Sequence, residues 1–267
     1  MAAVSNILFL VHRLPYPPNK GDKVRSYHLL RHLLKSHRVF LGTFIDDPED
    51  EQYLPVLRAL CPDLHVERLQ PRTAKIRSLS ALATGEALTL AYYHRPSLAA
   101  WVQGVAAQHD LRASVVFSSA MAPYAQALAP DVPMLVDFVD VDSAKWSQYA
   151  DKHRWPLSWL YRREGRTLLA YERAVAAQAR QSFFVTSNEV DLFLRLAPEC
   201  TATVQAMSNG VDADFFAPDA ARPTPYSADE LPVVFTGAMD YWPNIDGVSW
   251  CTADVLPRLM AHWPRVH

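Results

Sequence analysis

Nowhere does this chain carry a Gly-x-Gly-x-x-Gly fingerprint, a phosphate-cradling Gly-x-x-x-x-Gly-Lys loop or a Cys-x-x-Cys pair. Lacking the first two counts against a nicotinamide dehydrogenase or a P-loop NTPase. Three widely spaced cysteines, Cys61, Cys200 and Cys251, give neither a disulfide framework nor a zinc site, and their pattern is that of a reduced cytoplasmic protein. Long apolar runs are missing too. Ile7-Leu-Phe-Leu-Val11 is far too short for a signal segment or a membrane span, and His12-Arg13 follows at once. Charge of one sign is also lacking, with 26 Lys and Arg against 28 Asp and Glu. Nothing global therefore points to nucleic acid. No repeat or low-complexity tract is visible. The expectation is a soluble cytoplasmic protein.

Half of the 267 residues are hydrophobic, enough for one well-buried core and a fragment of another. Short apolar runs alternate with helical patterns. Strands are expected at Ile7–Val11, Arg38–Thr43, Leu64–Leu69, Ser114–Phe117, Met134–Phe138, Ser182–Thr186 and Thr203–Met207. Helices are expected at Asp22–Lys35, near Glu51–Leu60, and at Thr73–Ala83, Ser97–Gln108 and Ser158–Arg180. The first should bury Val24, Tyr27, Leu30 and Leu34. This order predicts an α/β fold with a doubly wound parallel sheet, which binds ligands outside the carboxyl ends of its strands.

Asn209-Gly210 is a turn signal, and a loop with two prolines follows. Val233-Val-Phe235 then reads as a short strand that stops at Gly237, followed by a helical pattern from Ile245 to Trp263 that Pro257 should kink or split. The organisation expected is a domain over 1–212, a linker over 213–231 and, over 232–267, the truncated beginning of a second domain.

Three constellations carry chemistry. In the first, Lys20-Gly21-Asp22-Lys23 stands at a helix start after a proline-rich loop. Gly21 lets backbone approach a ligand, the helix offers free N–H groups, and Lys20, Lys23 and Arg25 add positive charge, so an anion site is expected. The plainer reading is a rigid connector capped by Asp22. In the second, Asp137, Asp140 and Asp142 follow a strand, with Ser143 behind them. Such carboxylates can serve as a general base or orient a sugar hydroxyl, with Asp140 the best placed. Alternatively, Asp142 or Ser143 caps the next helix and Asp137 makes a salt bridge. A magnesium site lacks further ligands, and no metal is expected. The third runs from Trp146 to Arg166 and interleaves rings with cations. It suits a pyrophosphate, a lipid interface or a stacked base, or it is simply the packed and solvated faces of a helix. A weaker run of the same kind spans Arg72, Lys75, Ile76, Arg77, Leu79 and Leu82.

Taken together, Phe9–Arg25, Asp137–Trp146, Ser208-Asn-Gly-Val-Asp212 with Phe216-x-Pro218, and Phe235-Thr-Gly-Ala-Met-Asp-Tyr-Trp-Pro-Asn244 resemble the retaining glycosyltransferases of family 4, in particular the sugar transferases of exopolysaccharide and exosortase loci. The resemblance implies a GT-B enzyme with two Rossmann-like domains, of which this chain holds one complete and the start of another. It implies a nucleotide sugar as donor substrate rather than a bound cofactor, and a glycan or lipid-linked acceptor, with peripheral contact to the inner face of the membrane. Carried over to this sequence, it assigns Gly21 to the donor phosphates with Lys20 and Arg25, and Asp140 to the transferred sugar beside Asp142 and Ser143. It assigns Asn209, Gly210 and Asp212 to the motif that closes the first domain. Gly237 and Asn244 fall in the donor domain. The family's Glu-x7-Glu element would lie beyond the residues given, so the chain is expected to be an inactive fragment. A sugar-nucleotide epimerase of similar build and a non-catalytic binding module stay open as alternatives.

Overall fold

A computed structural model describes residues 5–219, 221–227, 229–237, 239 and 242–266. The chain divides into two compact units, Met1–Gly210 and Val211–His267. The first contains, in order, β1 (Ser5–Val11), α1 (Gly21–Leu33), β2 (His37–Ile45), α2 (Leu54–Leu60), β3 (Leu64–Arg68), α3 (Pro71–Ser78), α4 (Ala81–Thr84), α5 (Leu88–Tyr93), α6 (Pro96–Gln108), β4 (Leu111–Phe117), α7 (Ala122–Gln126), β5 (Met134–Val139), α8 (Asp142–Asp151), α9 (Leu157–Gln178), β6 (Gln181–Phe184), α10 (Ser187–Leu196) and β7 (Val204–Ala206).

All seven strands are parallel, in the order β3-β2-β1-β4-β5-β6-β7. Alternation along β1 divides the core. Ile7, Phe9 and Val11 face one layer with Leu30 of α1 and Leu57 of α2. Leu8 and Leu10 face the other with Leu98 and Val102 of α6, Val175 of α9 and Phe193 of α10. Helices on both faces make a Rossmann-like α/β domain, as the strand and helix alternation predicted. The order reverses direction at β1, whose neighbours are β2 and β4, so the crevice for a ligand is expected above the ends of β1, β4 and β5.

The structure differs from the sequence reading at two helices. α1 buries Lys23, Ser26 and Leu30 rather than the stripe through Val24, Tyr27 and Leu34. A lysine can take that inward position because Asp50 meets it there, Nζ to Oδ2 at 2.6 Å. The helix expected at Thr73–Ala83 is two short ones, α3 and α4, and α4 ends at Gly85 with φ 82°.

α8 and α9 form a tight antiparallel hairpin. A Cβ on Gly165 would stand 2.6 Å from Ser147 Oγ and 3.0 Å from the Ser143 carbonyl, so only glycine allows this approach.

The second unit has α11 (Trp242–Trp250), a π turn over Cys251–Val255 and α12 (Leu256–His262), with Pro257 in the first turn of α12. The helical run continues from 242 to 262, and where Pro257 was expected to kink or split it the structure has only this π turn just before the proline. No strand forms at Val233–Phe235, which corrects that expectation. The nearest pairing is a single bridge between Leu231 and Val266, and without a partner strand an extended segment has no ladder to join. Ala238, Asp240 and Tyr241 of the motif in this unit lie outside the described residues.

Candidate functional site

β4 and β5 each end in a distorted turn at the edge of the sheet where β1 also ends. After β4 the chain passes through Ser118 at φ 76°, and β5 ends on Val139 at φ 69°. Positive φ on a β-branched residue costs free energy and persists only where neighbours fix it. Here the Val139 N–H donates to Asp137 Oδ1 at 3.2 Å, and the Ser118 N–H donates to the Asp137 carbonyl at 2.8 Å.

Asp137 is the centre of this corner. Arg25 of α1 grips it with a fork, Nε to Oδ2 at 2.7 Å and Nη2 to Oδ1 at 3.1 Å. Burial pushes the Asp137 carboxyl up, and the guanidinium works against that shift. Arg25 also donates through Nη1 to Asn209 Oδ1 at 2.9 Å. The helix after β1, the end of β5 and the last residues of the first unit are thus tied at one point.

Beside that corner lies a cavity of about 620 Å³ whose wall includes His12, Ser118, Asp142 and Lys145 at its polar part. Tyr92 and Tyr93 of α5, Trp146 and Tyr149 of α8, and Leu157, Leu160 and Tyr161 of α9 supply rings and apolar surface. His12 stacks on Phe117 and meets Tyr93 edge-on, each ring centre 5.9 Å away. Its Nε2 faces Asp22 Oδ2 at 3.7 Å, while its Nδ1 is buried without a hydrogen-bond partner. Burial drives the imidazole below its ordinary value against the pull of Asp22, so it is neutral at pH 7.

Lys145 spans the acidic pair, 2.7 Å from Asp140 Oδ2 and 3.1 Å from Asp142 Oδ1. Although burial opposes it, Asp142 and Asp140 together hold this ammonium above its ordinary range. Asp142 lines the cavity, and Asp140 reaches it through Lys145, with its own side chain a third exposed.

The capping expected of Asp142 and Ser143 is done by other residues. Glu189 of α10 accepts from the Val141 N–H at 2.7 Å, and Glu172 of α9 accepts from Ser143 N–H and Oγ at 3.3 and 2.5 Å. Glu164, also on α9, takes the N–H groups of Leu88 and Thr89 at the start of α5. Burial pushes the Glu172 carboxyl up to about 8, with Ser143 pulling it back. Three carboxylates from the second half of the domain therefore fix α5 and α8, two of the helices that wall the cavity. Glutamates on helices read as solvated in a sequence, and nothing marked these.

The loop before α1 is corrected in one respect. Lys23 and Arg25, counted as cations for an anion, are neutralised by Asp50 and Asp137. Arg13 is likewise held by Asp22 and Asp46. Lys20 stays exposed at the helix start, and the space beside Gly21 is open. Gly210 is exposed in open space. In the second unit Asp212 accepts from the Phe215 N–H at 3.0 Å, and a Cβ on Gly237 would meet Asn244 Nδ2 at 2.9 Å. Sequence reading passed over His12, Lys145 and Ser118. The first two lay inside quoted motifs.

Among the described residues no cluster of three or more His, Cys, Asp or Glu could hold a metal, and no helix is long and apolar enough to cross a membrane.

No family model and no curated protein sequence matches the chain. Among solved structures, the N-terminal domain of Candida albicans trehalose-6-phosphate phosphatase aligns at 14% identity and a TM-score of 0.46, covering 79% of this chain and 50% of that one. Glycyrrhiza uralensis UGT73P12, complexed with glycyrrhetinic acid 3-O-monoglucuronide, aligns at 10% identity and a TM-score of 0.42, covering 81% of this chain and 51% of that one. The chain spans about half the length of these structures.

Proposed function

We propose that this chain is the acceptor-binding part of a retaining glycosyltransferase, which moves a sugar from a nucleotide sugar to a glycan or lipid-linked acceptor in exopolysaccharide assembly at the cytoplasmic face of the membrane. The observation that carries the reading is the cavity of about 620 Å³ beside the carboxyl ends of β1, β4 and β5. Its rings suit the apolar faces of a sugar, and its polar groups suit hydroxyls. The sequence motifs supply the donor and the family.

In this reading the acceptor hydroxyl lies against His12 and Asp142. A neutral imidazole can accept a proton or a hydrogen bond from it, and Asp142 can orient it by a charge-assisted bond. Lys145 fixes Asp142 relative to Asp140. Asp140, at the end of β5 outside the cavity, serves the reacting centre, where a carboxylate balances positive charge developing on the transferred sugar.

The test is transfer by the full gene product from a panel of nucleotide sugars to saccharide and prenyl-linked acceptors, read by product mass, with the anomeric configuration from proton NMR. A product that keeps the donor's configuration is expected. Inversion would overturn the retaining assignment, and an epimerised nucleotide sugar without transfer would overturn the reading itself.

A further inference from the structure

Two residues at this end of the sheet hold a backbone conformation that suits glycine, and they differ in what their side chains do. Val139 has φ 69°, and Ser118 has φ 76° with ψ 138°. Such conformations are unfavourable for any residue with a Cβ, whereas glycine adopts them freely. Val139 uses its side chain inside the protein, where it packs against the apolar layer that holds Phe9, Leu41 and Phe117.

Ser118 has no comparable use within the domain. Its N–H donates to the Asp137 carbonyl at 2.8 Å and its carbonyl accepts from the Met121 N–H at 3.1 Å, and glycine would make both bonds without strain. It stands at the N-cap of the short turn Ser119–Met121, where a serine hydroxyl commonly caps, yet this hydroxyl makes no capping bond. Among the described residues it has no other hydrogen-bond partner, and it is not sealed off from the surface. The residue is 8% exposed and lines the cavity, which leaves the cavity as the place where the hydroxyl meets a partner. What serine adds over glycine here is one CH2OH group, and the strain is retained with it. His12, stacked on the preceding Phe117, lines the same cavity and has a buried Nδ1 that is also without a partner.

We propose that Ser118 is a specificity-determining contact: its hydroxyl exchanges a hydrogen bond with one hydroxyl of the saccharide in the cavity and selects ligands that carry that group. This rests on the function proposed above, which puts an acceptor saccharide there. A serine hydroxyl both donates and accepts, which matches the two-way character of a sugar hydroxyl. The fixed backbone leaves only rotation about the side-chain bond to be lost on binding, so little ordering opposes the contact. A wall group of this kind also discriminates, because a ligand that lacks the matching hydroxyl leaves it unpaired where water is excluded.

The experiment reads the strain and the contact separately. In thermal melts of the chain, Ser118→Gly should raise the melting temperature by roughly 2–5 °C because glycine relaxes the turn, and Ser118→Ala should leave it within about 1 °C. The contact is read by titration with a short-chain prenyl-diphosphate-linked saccharide and with each monodeoxy derivative of its terminal sugar. Ser118→Ala should bind the full saccharide about three- to tenfold more weakly than the parent chain does. One deoxy derivative should bind the parent chain more weakly by a similar factor, and that penalty should disappear in Ser118→Ala. Ser118→Gly should lose the same affinity despite its higher melting temperature, a split that a merely structural serine would not produce. Equal affinity of Ser118→Ala and the parent chain, or deoxy penalties that persist in the variant, would overturn the contact. A Ser118→Gly melt at or below that of the parent would overturn it as well, since the turn would then not be strained by its side chain. Failure of the parent chain to bind the full saccharide would overturn the acceptor reading itself, and the contact with it.

Discussion

Arg25 and Asp137 are separated by 112 residues and joined by two hydrogen bonds of 2.7 and 3.1 Å, with both side chains buried. This pair ties α1 to the end of β5, where the backbone takes positive φ. Removing either partner leaves a buried charge uncompensated. Arg25→Ala and Asp137→Asn should each cost about 3–5 kcal/mol of unfolding free energy. The double variant should cost much less than the sum, and urea unfolding of the full cycle measures this.

Glu172 gives a pH dependence of defined sign. Its folded carboxyl is raised to about 8 from an ordinary 4.5, chiefly by burial. Between those values the folded state binds more protons than the unfolded one, so stability is full below about pH 4.5 and falls as pH rises toward 8. Thermal melts from pH 5 to 9 should show this decline. In Glu172→Gln the slope from this group should vanish.

Gly165 should not tolerate a methyl group. The added Cβ would press on Ser147 Oγ and on the Ser143 carbonyl, and the latter is backbone that cannot rotate away. Gly165→Ala is expected to destabilise by about 1–3 kcal/mol, despite the better helix propensity of alanine. Gly21→Ala, with open space beside it, should leave the melting temperature almost unchanged.

The two carboxylates held by Lys145 should separate kinetically. Asp142 lines the cavity, so Asp142→Asn should mainly raise KM for the acceptor. Asp140 stands outside it, and Asp140→Asn should mainly lower kcat, by roughly tenfold to a hundredfold. Steady-state kinetics of the full gene product, at matched thermal stability, decide between them. An unchanged kcat in Asp140→Asn would remove it from the reacting centre.

The sheet was legible in the sequence because parallel strands buried on both faces read as short apolar runs, and Ile7–Val11 or Met134–Phe138 could be little else. The ends of helices and the choice of buried face were less legible. Lys23 on α1 is buried because of Asp50, a residue 27 positions away that no periodicity reveals. Val233-Val-Phe235 has strand composition and no strand, because β structure needs a partner as well as propensity. Glu164 and Glu172 share the spacing of the Glu-x7-Glu element expected elsewhere, yet both cap helices here, which only the fold could show. Of the site, the acidic trio and the loop after β1 were visible as motifs. What was not visible is that their charges are largely spent on one another, leaving His12 and the rings as the surface a ligand would meet.

The central claim is that a sugar-bearing acceptor occupies the cavity between His12 and Tyr161. Its most direct test is a titration of the chain with a short-chain prenyl-diphosphate-linked saccharide, followed through the histidine-ring and indole resonances. The account predicts saturable shifts of His12 and Trp146, with His12 in its neutral form at pH 7, and their loss in Asp142→Asn/Lys145→Met. Saturating ligand that leaves His12 and Trp146 unmoved, or shifts confined to resonances outside the cavity, would contradict it.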